Sequence, residues 1–264
     1  MILPPGPGAG ESAVRIGLIY PELMGTYGDR GNARVLEQRL AWRGMPAEVV
    51  VVAAGEEIPD SLDIYVLGGA EDVPQTLAAE GLMASEAAIE QALDAGAAML
   101  AVCAGFQLLG RTYVRPDGRA VPGLGLVDAT TVAGPRRRIG EVVVDTARPD
   151  LPVLSGFENH AGITTLGPGV TPLGAVRSGT GNGDGRDGAI LDRRLIATYL
   201  HGPVLARNPA LADLLLTWVA GALPPLDDEL ARRLREERLA AAEPRRGVLA
   251  RALHGLSVVT GFVR

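Results

Sequence analysis

Residues 98–110 read AMLAVCAGFQLLG, and this stretch decides the fold. Its first five residues form an apolar run of strand length with no polar alternation. Strands of that kind are buried on both faces, as in parallel sheets covered by helices. Cys103-Ala104-Gly105 follows at once, and then a helical segment over 106–110. A strand that passes into a helix with no spacer pushes the junction residue out at the carboxyl edge of the sheet, where open α/β sheets bind their ligands.

Working outward, the N-terminal side repeats the same theme. VRIGLIY (14–20), EVVVVA (48–53) and DIYVL (63–67) read as strands, the last ending in Gly68-Gly69. Between the first two lies a loop at 27–30 and a helix over 32–43, with Leu36 and Leu40 one turn apart and Gly44 as its C-cap. A further helix over 86–95 stops at Gly96. Strands alternating with helices predict a doubly wound, mostly parallel α/β sheet flanked by helices. The C-terminal side changes character. Pro122-Gly123-Leu124-Gly125 and three arginines (Arg136, Arg137, Arg138) lead into EVVVD at 141–145, and short β-like runs follow near 153–157, 170–176 and 189–191. Turn residues separate them, and GTGNGDGRDG (179–188) reads as a hairpin tip or mobile loop. Antiparallel strands are therefore expected beside the parallel core. LIATYL (195–200) is one more strand, ending at His201-Gly202-Pro203; Asn208 is placed to cap a helix with Pro209 at its first position, running to about Ala220. After Pro224-Pro225, residues 227–242 form an Arg/Glu-rich surface helix, read equally as a partner arm or a solvated helix. The division expected is a flexible arm at 1–13, a domain at 14–222 and a helical tail at 223–264.

Composition narrows the chemistry. The 264 residues, 47% hydrophobic and 21% charged, suit a soluble globular chain. No apolar run reaches the roughly 18 residues of a membrane span, the Pro/Gly-rich start does not read as a signal peptide, and a net charge of −6 argues against nucleic acid. All 25 basic residues are arginine. Without lysine there is no Schiff base and no P-loop, so any ATP-driven step belongs to another chain. The single cysteine excludes an intrachain disulfide and multi-thiolate zinc, leaving a buried small residue or a nucleophile.

The surroundings of Cys103 favour the nucleophile. The pattern follows the logic of the G-x-S-x-G elbow, in which small neighbours permit a strained turn; here Ala101 replaces the first glycine, and Ala104 and Gly105 follow. The helix that starts at Ala104 points its amides at the sulfur and stabilises thiolate. Gly68-Gly69, at another strand end, offers N–H groups unhindered by a Cβ, and with the Ala104 amide these could hold an oxyanion. Of the three histidines, His254 lies in the tail and His160 in a polar loop, whereas His201 sits at a strand end like Cys103 and is the better base. Cysteine plus histidine points to covalent acyl transfer.

With these motifs in place, the chain resembles the class I (triad) glutamine amidotransferases. AVCAGFQLLG, VPGLGL, GFENHAG and ATYLHGPVLARNP in that order are similar to the cobyric-acid-synthase-like branch, and within it to the glutaminase subunits of lipid II isoglutaminyl synthases. The opening Tyr20-Pro21 and Tyr27-Gly28-Asp29-Arg30-Gly31-Asn32 also fit, and the resemblance runs from about Arg15 to Ala220. It implies hydrolysis of L-glutamine through a γ-glutamyl thioester on Cys103, with His201 as base. Ammonia would pass to a Mur-ligase-like (MurT-like) partner in a cytoplasmic heterodimer. That partner, with ATP and Mg, would amidate the D-glutamate of lipid II at the membrane's inner face; no cofactor or metal is expected on this chain. By the same resemblance Arg137, flanked by Arg136 and Arg138, holds the glutamine α-carboxylate, as a guanidinium fork suits. Gln107, one turn into the helix, touches substrate or packs the helix. One departure stands out: His201-Gly202-Pro203 lacks the carboxylate two residues after the histidine. The third triad member is then expected from Glu158 or from an acid on the partner. The competing readings are an amidotransferase for a corrinoid or other carboxylate, and a non-catalytic cysteine-containing α/β module.

Overall fold

The computed structural model of the chain describes residues 12–192 and 194–242; most of the N-terminal arm and the tail beyond 242, with His254, lie outside them. The elements in chain order are β1 (Val14–Ile19), α1 (Gly31–Ala41), β2 (Ala47–Val52), β3 (Ile64–Leu67), α2 (Asp72–Ala84), α3 (Glu86–Asp94), β4 (Ala98–Val102) and α4 (Ala104–Leu109). They continue with β5 (Thr112–Val114), β6 (Ala120–Pro122), β7 (Ala129–Thr146), β8 (Leu154–Leu166), β9 (Gly174–Ser178), β10 (Arg186–Asp187), β11 (Ala189–Leu191) and β12 (Leu195–Thr198). Three helices close the described chain: α5 (Val204–Arg207), α6 (Pro209–Ala220) and α7 (Glu229–Ala242).

Two sheets carry the molecule. The first runs β11-β12-β4-β3-β1-β2. It is parallel at every joint except β11 against β12. β4 lies at its centre, and all five of its residues are fully buried, as the apolar run predicted. The chain leaves β1 for β2 in one direction and leaves β3 for β4 in the other. Right-handed crossovers then put α1 on one face and α2 and α3 on the opposite face. The strand order reverses between β1 and β3, and the crevice at their carboxyl ends is the position such sheets reserve for ligands. The second sheet, β10-β9-β7-β5-β6 with β8 on β7, supplies the expected antiparallel strands.

The differences from expectation are instructive. The short β-like runs expected around the arginines and GFENH are one long hairpin, β7 of 18 residues against β8 of 13. Its register shifts between Ala133 and Arg138, so Pro135 and the arginines sit at an irregularity rather than in a turn. Asn208 stands at the N-cap of α6, as expected, but its side chain makes no capping hydrogen bond there. Its side chain instead joins the Ser155 backbone N–H and C=O and the Val204 C=O, stitching β8 to α5. The surface helix begins beside a buried clamp. Arg39, on α1, forks to Asp213 of α6 and to Asp228 just before α7, and Arg43 adds a second contact to Asp213.

Candidate active site

Four strand ends of the parallel sheet build one site. β4 ends in Cys103, whose backbone has φ 53° and ψ −104°. A non-glycine residue in that region stores about 1–3 kcal/mol of strain and persists only where its neighbours fix it. Here the Cys103 N–H donates to Thr198 C=O at 2.8 Å, and its own C=O accepts the Gln107 N–H at 3.0 Å. Gly105 lets α4 lie close to β3: a Cβ there would meet Leu67 Cβ at 3.0 Å and Leu67 O at 3.1 Å. Ala104 is the first residue of α4, so its N–H has no intrahelical acceptor and suits an anion at the sulfur.

β12 leads to His201, which is fully buried. A two-way backbone bridge to Phe157 of β8 locks it in place, at 2.8 and 3.1 Å. The Tyr27 ring meets the imidazole edge-on, with centroids 5.0 Å apart. His201 Nδ1 is 2.8 Å from Asp29 Oδ2. The same Asp29 oxygen accepts the Gly69 N–H at 2.8 Å. Nε2 is buried with no hydrogen-bond partner among the described residues. Burial pushes this imidazole down, but the charge of Cys103 and the hydrogen bond that Nδ1 donates to Asp29 outweigh it and lift the group to about 10. Nε2 is therefore a strong enough base to keep a proton taken from the thiol.

Asp29 is the carboxylate that sequence reading missed. The expectation that Glu158 or a partner's acid orients His201 does not hold: Glu158 is turned away, toward the Thr180 and Gly181 amides and His160. Asp29 was inside the quoted motif, but 172 positions from the histidine no local spacing joins them. The signal was topological. The loops after β1 and β3 meet at the switch point, and Asp29 and Gly69 are their tips. Gly69 also differs from expectation. Its N–H is taken by Asp29, and a Cβ on it would lie 2.6 Å from His201 Cε1. The glycine makes room for the imidazole rather than facing an oxyanion.

Cys103 opens into a pocket of about 220 Å³. Ala70, Gln75, Gln107, Tyr113 and Arg137 line it together with Asn159, His160 and Ala161. Of the three adjacent arginines only Arg137 lines the pocket, with Glu71 Oε2 3.3 Å from its guanidinium. Glu71 also accepts the Tyr27 hydroxyl, which strings Tyr27, Glu71 and Arg137 along the rim. Gln107 is buried; it accepts from Gln75 Nε2 at 2.9 Å and donates to the Tyr199 hydroxyl at 3.3 Å. Asn159, a residue of the pocket wall, has a buried Oδ1 with no hydrogen-bond partner among the described residues. An arginine and an unpaired acceptor suit a ligand with a carboxylate and an ammonium group.

This constellation is that of a cysteine amidohydrolase on a doubly wound sheet. Residues 15–209 match the family model of the CobB/CobQ-like glutamine amidotransferase domain, and the chain belongs to that family. Two relatives narrow the branch. The chain is 33% identical over 234 residues to the lipid II isoglutaminyl synthase (glutamine-hydrolyzing) subunit GatD of Streptococcus pneumoniae, covering 85% of this chain and 90% of that one. It is 36% identical over 195 residues to the GatD subunit of Staphylococcus aureus, covering 73% and 79%. A crystal structure of a glutamine amidotransferase shares the fold, with a TM-score of 0.54 at 20% identity over 78% of this chain and 98% of that one.

Proposed function

We propose that this chain is the glutamine-hydrolysing subunit of a lipid II isoglutaminyl synthase. The observation that supports this reading is that Cys103 opens on a pocket whose rim carries Arg137, while His201, hydrogen-bonded to Asp29, interacts with the thiol from the buried side. Arg137 takes the α-carboxylate of L-glutamine, and Asn159 Oδ1 takes its α-ammonium. The sulfur attacks the side-chain carbonyl carbon, and the amide of Ala104 faces the oxyanion. His201, carrying the proton from the thiol, gives it to the departing ammonia. A water molecule then loses a proton to His201 and cleaves the γ-glutamyl thioester, releasing glutamate. Asp29 holds the imidazole and favours its charged form throughout.

The ammonia goes to a second chain. Both relatives are named for lipid II isoglutaminyl synthase, and a subunit implies a partner. That partner is a MurT-like, Mur-ligase-family protein that binds ATP and Mg and activates the D-glutamate α-carboxyl of lipid II. The complex works in the cytoplasm, at the inner membrane face where its lipid-linked substrate lies. Among the described residues no helix is long and apolar enough to cross a membrane. The test is co-expression with the Mur-ligase-like protein and glutamine-dependent amidation of lipid II, wild type against Cys103→Ser. The serine variant should lose glutamine-dependent amidation and keep the reaction driven by free ammonium. Amidation from glutamine that survives without Cys103 overturns the proposal.

A further inference from the structure

The loops after β1 and β3 are joined at three points. Thr26 N–H donates to Gly69 C=O at 3.2 Å, Gly69 N–H donates to Asp29 Oδ2 at 2.8 Å, and the Tyr27 hydroxyl donates to Glu71 Oε1 at 3.1 Å. The first two seat Asp29 beside His201. The third stands outside the reaction above, and it belongs to a residue in an uncommon conformation. Tyr27 has φ 59°, and Gly28 after it has φ 83°. A non-glycine residue takes left-handed backbone at a cost and keeps it only where its surroundings fix it. This stretch brings two side chains to one imidazole: Asp29 meets its Nδ1, and Tyr27 meets the ring.

Tyr27 spans two parts of the site. Its ring lies against His201, with 73° between the planes. His201 has no exposed surface whereas Tyr27 is exposed, so the tyrosine is part of what keeps water from the base. The hydroxyl reaches the other way. Glu71, a residue of the pocket, gives Oε1 to Tyr27 and Oε2 to Arg137, 3.3 Å from the guanidinium. Burial first, and the Glu71 carboxylate after it, push the Tyr27 hydroxyl above its ordinary value, so it stays a donor at neutral pH. With both oxygens engaged, Glu71 is held in one orientation and keeps Arg137 at its place on the wall. An arginine on a free stem loses rotamer entropy when it takes a carboxylate, and one already fixed has less to lose.

We propose that Tyr27 is a positioning residue with two ends: its ring braces His201, and its hydroxyl, through Glu71, fixes Arg137 for the carboxylate of the substrate. The proposal rests on the glutamine reading of the pocket. Tyr27 takes no proton itself and acts through these neighbours. Its two ends separate by substitution, because phenylalanine keeps the ring and removes only the hydroxyl.

Two measurements test it. The first is steady-state glutamate release by the full chain, comparing Y27F, E71Q, the double variant and Y27L. Y27F and E71Q should each raise KM about threefold, the size of one exposed hydrogen bond or ion pair, and lower kcat by under about twofold. Y27F should add little in the E71Q background, because the hydroxyl acts through Glu71. Y27L should also lower kcat about tenfold, since an imidazole free to tilt is a misplaced base. An E71Q chain with unchanged or lower KM overturns the proposal, because Glu71 would then not aid Arg137 or would compete with the substrate for it. A Y27L chain with the native kcat overturns the other end. The second measurement needs no turnover: the ¹⁵N order parameter of the Arg137 Nε–H, assigned by its loss in R137A. It should be high in the native chain and fall in Y27F and in E71Q. An Arg137 as ordered in Y27F as in the native chain overturns the proposal, whether or not Y27L folds. If the native chain turns over no glutamine, the function reading falls instead, and the guanidinium measurement still decides this one.

Discussion

Replacing Asp29 by asparagine isolates what the buried carboxylate does. Asp29 Oδ2 accepts from His201 Nδ1 and from the Gly69 N–H, each at 2.8 Å. Asparagine keeps the shape and one acceptor but removes the charge. Two unit charges about 4 Å apart at an effective dielectric near 20 interact by about 4 kcal/mol. Part of that returns through the retained hydrogen bond, so roughly 3 kcal/mol of the imidazolium's stabilisation is lost, or about two pKa units at 1.36 kcal/mol each. The group now raised to about 10 should move back toward its ordinary value. A raised histidine keeps its proton below the folded-state pKa and loses it as pH rises through that value. The wild-type rate should therefore hold into the alkaline range, and its alkaline limb should fall earlier in D29N. Glutamine hydrolysis, followed by glutamate release, should drop about 10²- to 10³-fold in kcat with KM little changed, given that transition-state stabilisation is lost at 1.36 kcal/mol per tenfold. The ratio should be the same for the isolated chain and the complex. A loss under about fivefold, or a ratio that appears only in the complex, would refute Asp29 as the orienting carboxylate and return the role to a partner.

The other predictions follow from close contacts. Gly69→Ala puts a Cβ 2.6 Å from His201 Cε1, so kcat should collapse while circular dichroism stays native. Arg137→Ala should raise KM for glutamine by about 10²-fold, through loss of a charge-assisted pair, with a smaller change in kcat; an unchanged KM would move the carboxylate site elsewhere. Arg39→Met leaves Asp213 with Arg43 alone and Asp228 without its cation. Their side chains are 28% and 35% exposed, so the cost should be about 2–4 kcal/mol in urea melts, below the figure for a fully buried pair.

The parallel half of the fold was legible because its strands are continuous apolar runs between glycine-marked turns. β4 was bounded to the residue, and α6 from Pro209 to Ala220 as well. α2 was not foreseen: Gly81 lies inside it and disfavours a helix interior, and Pro74, in its first turn, reads as a breaker. The β7–β8 hairpin was read as fragments because its arginines and glycines look like turns, whereas the bulge absorbs them. In the site, Cys103 and His201 could be found because each directly follows an apolar strand. Arg137 needed the resemblance, and the structure separates it from Arg136 and Arg138 by its position on the pocket wall. Asp29 was illegible for a physical reason. Its partner histidine is reached only through the strand order of the sheet, which no short-range pattern encodes.

The 172-residue separation between Asp29 and His201 has a consequence for synthesis of the chain. Closing so long a loop is an entropic cost met only once the intervening strands have docked. While the polypeptide is emerging from the ribosome, Cys103 is translated almost a hundred residues before its proton acceptor. A nascent or truncated chain that stops short of residue 201 carries the thiol without the machinery to use it, so incomplete copies release no ammonia into the cell.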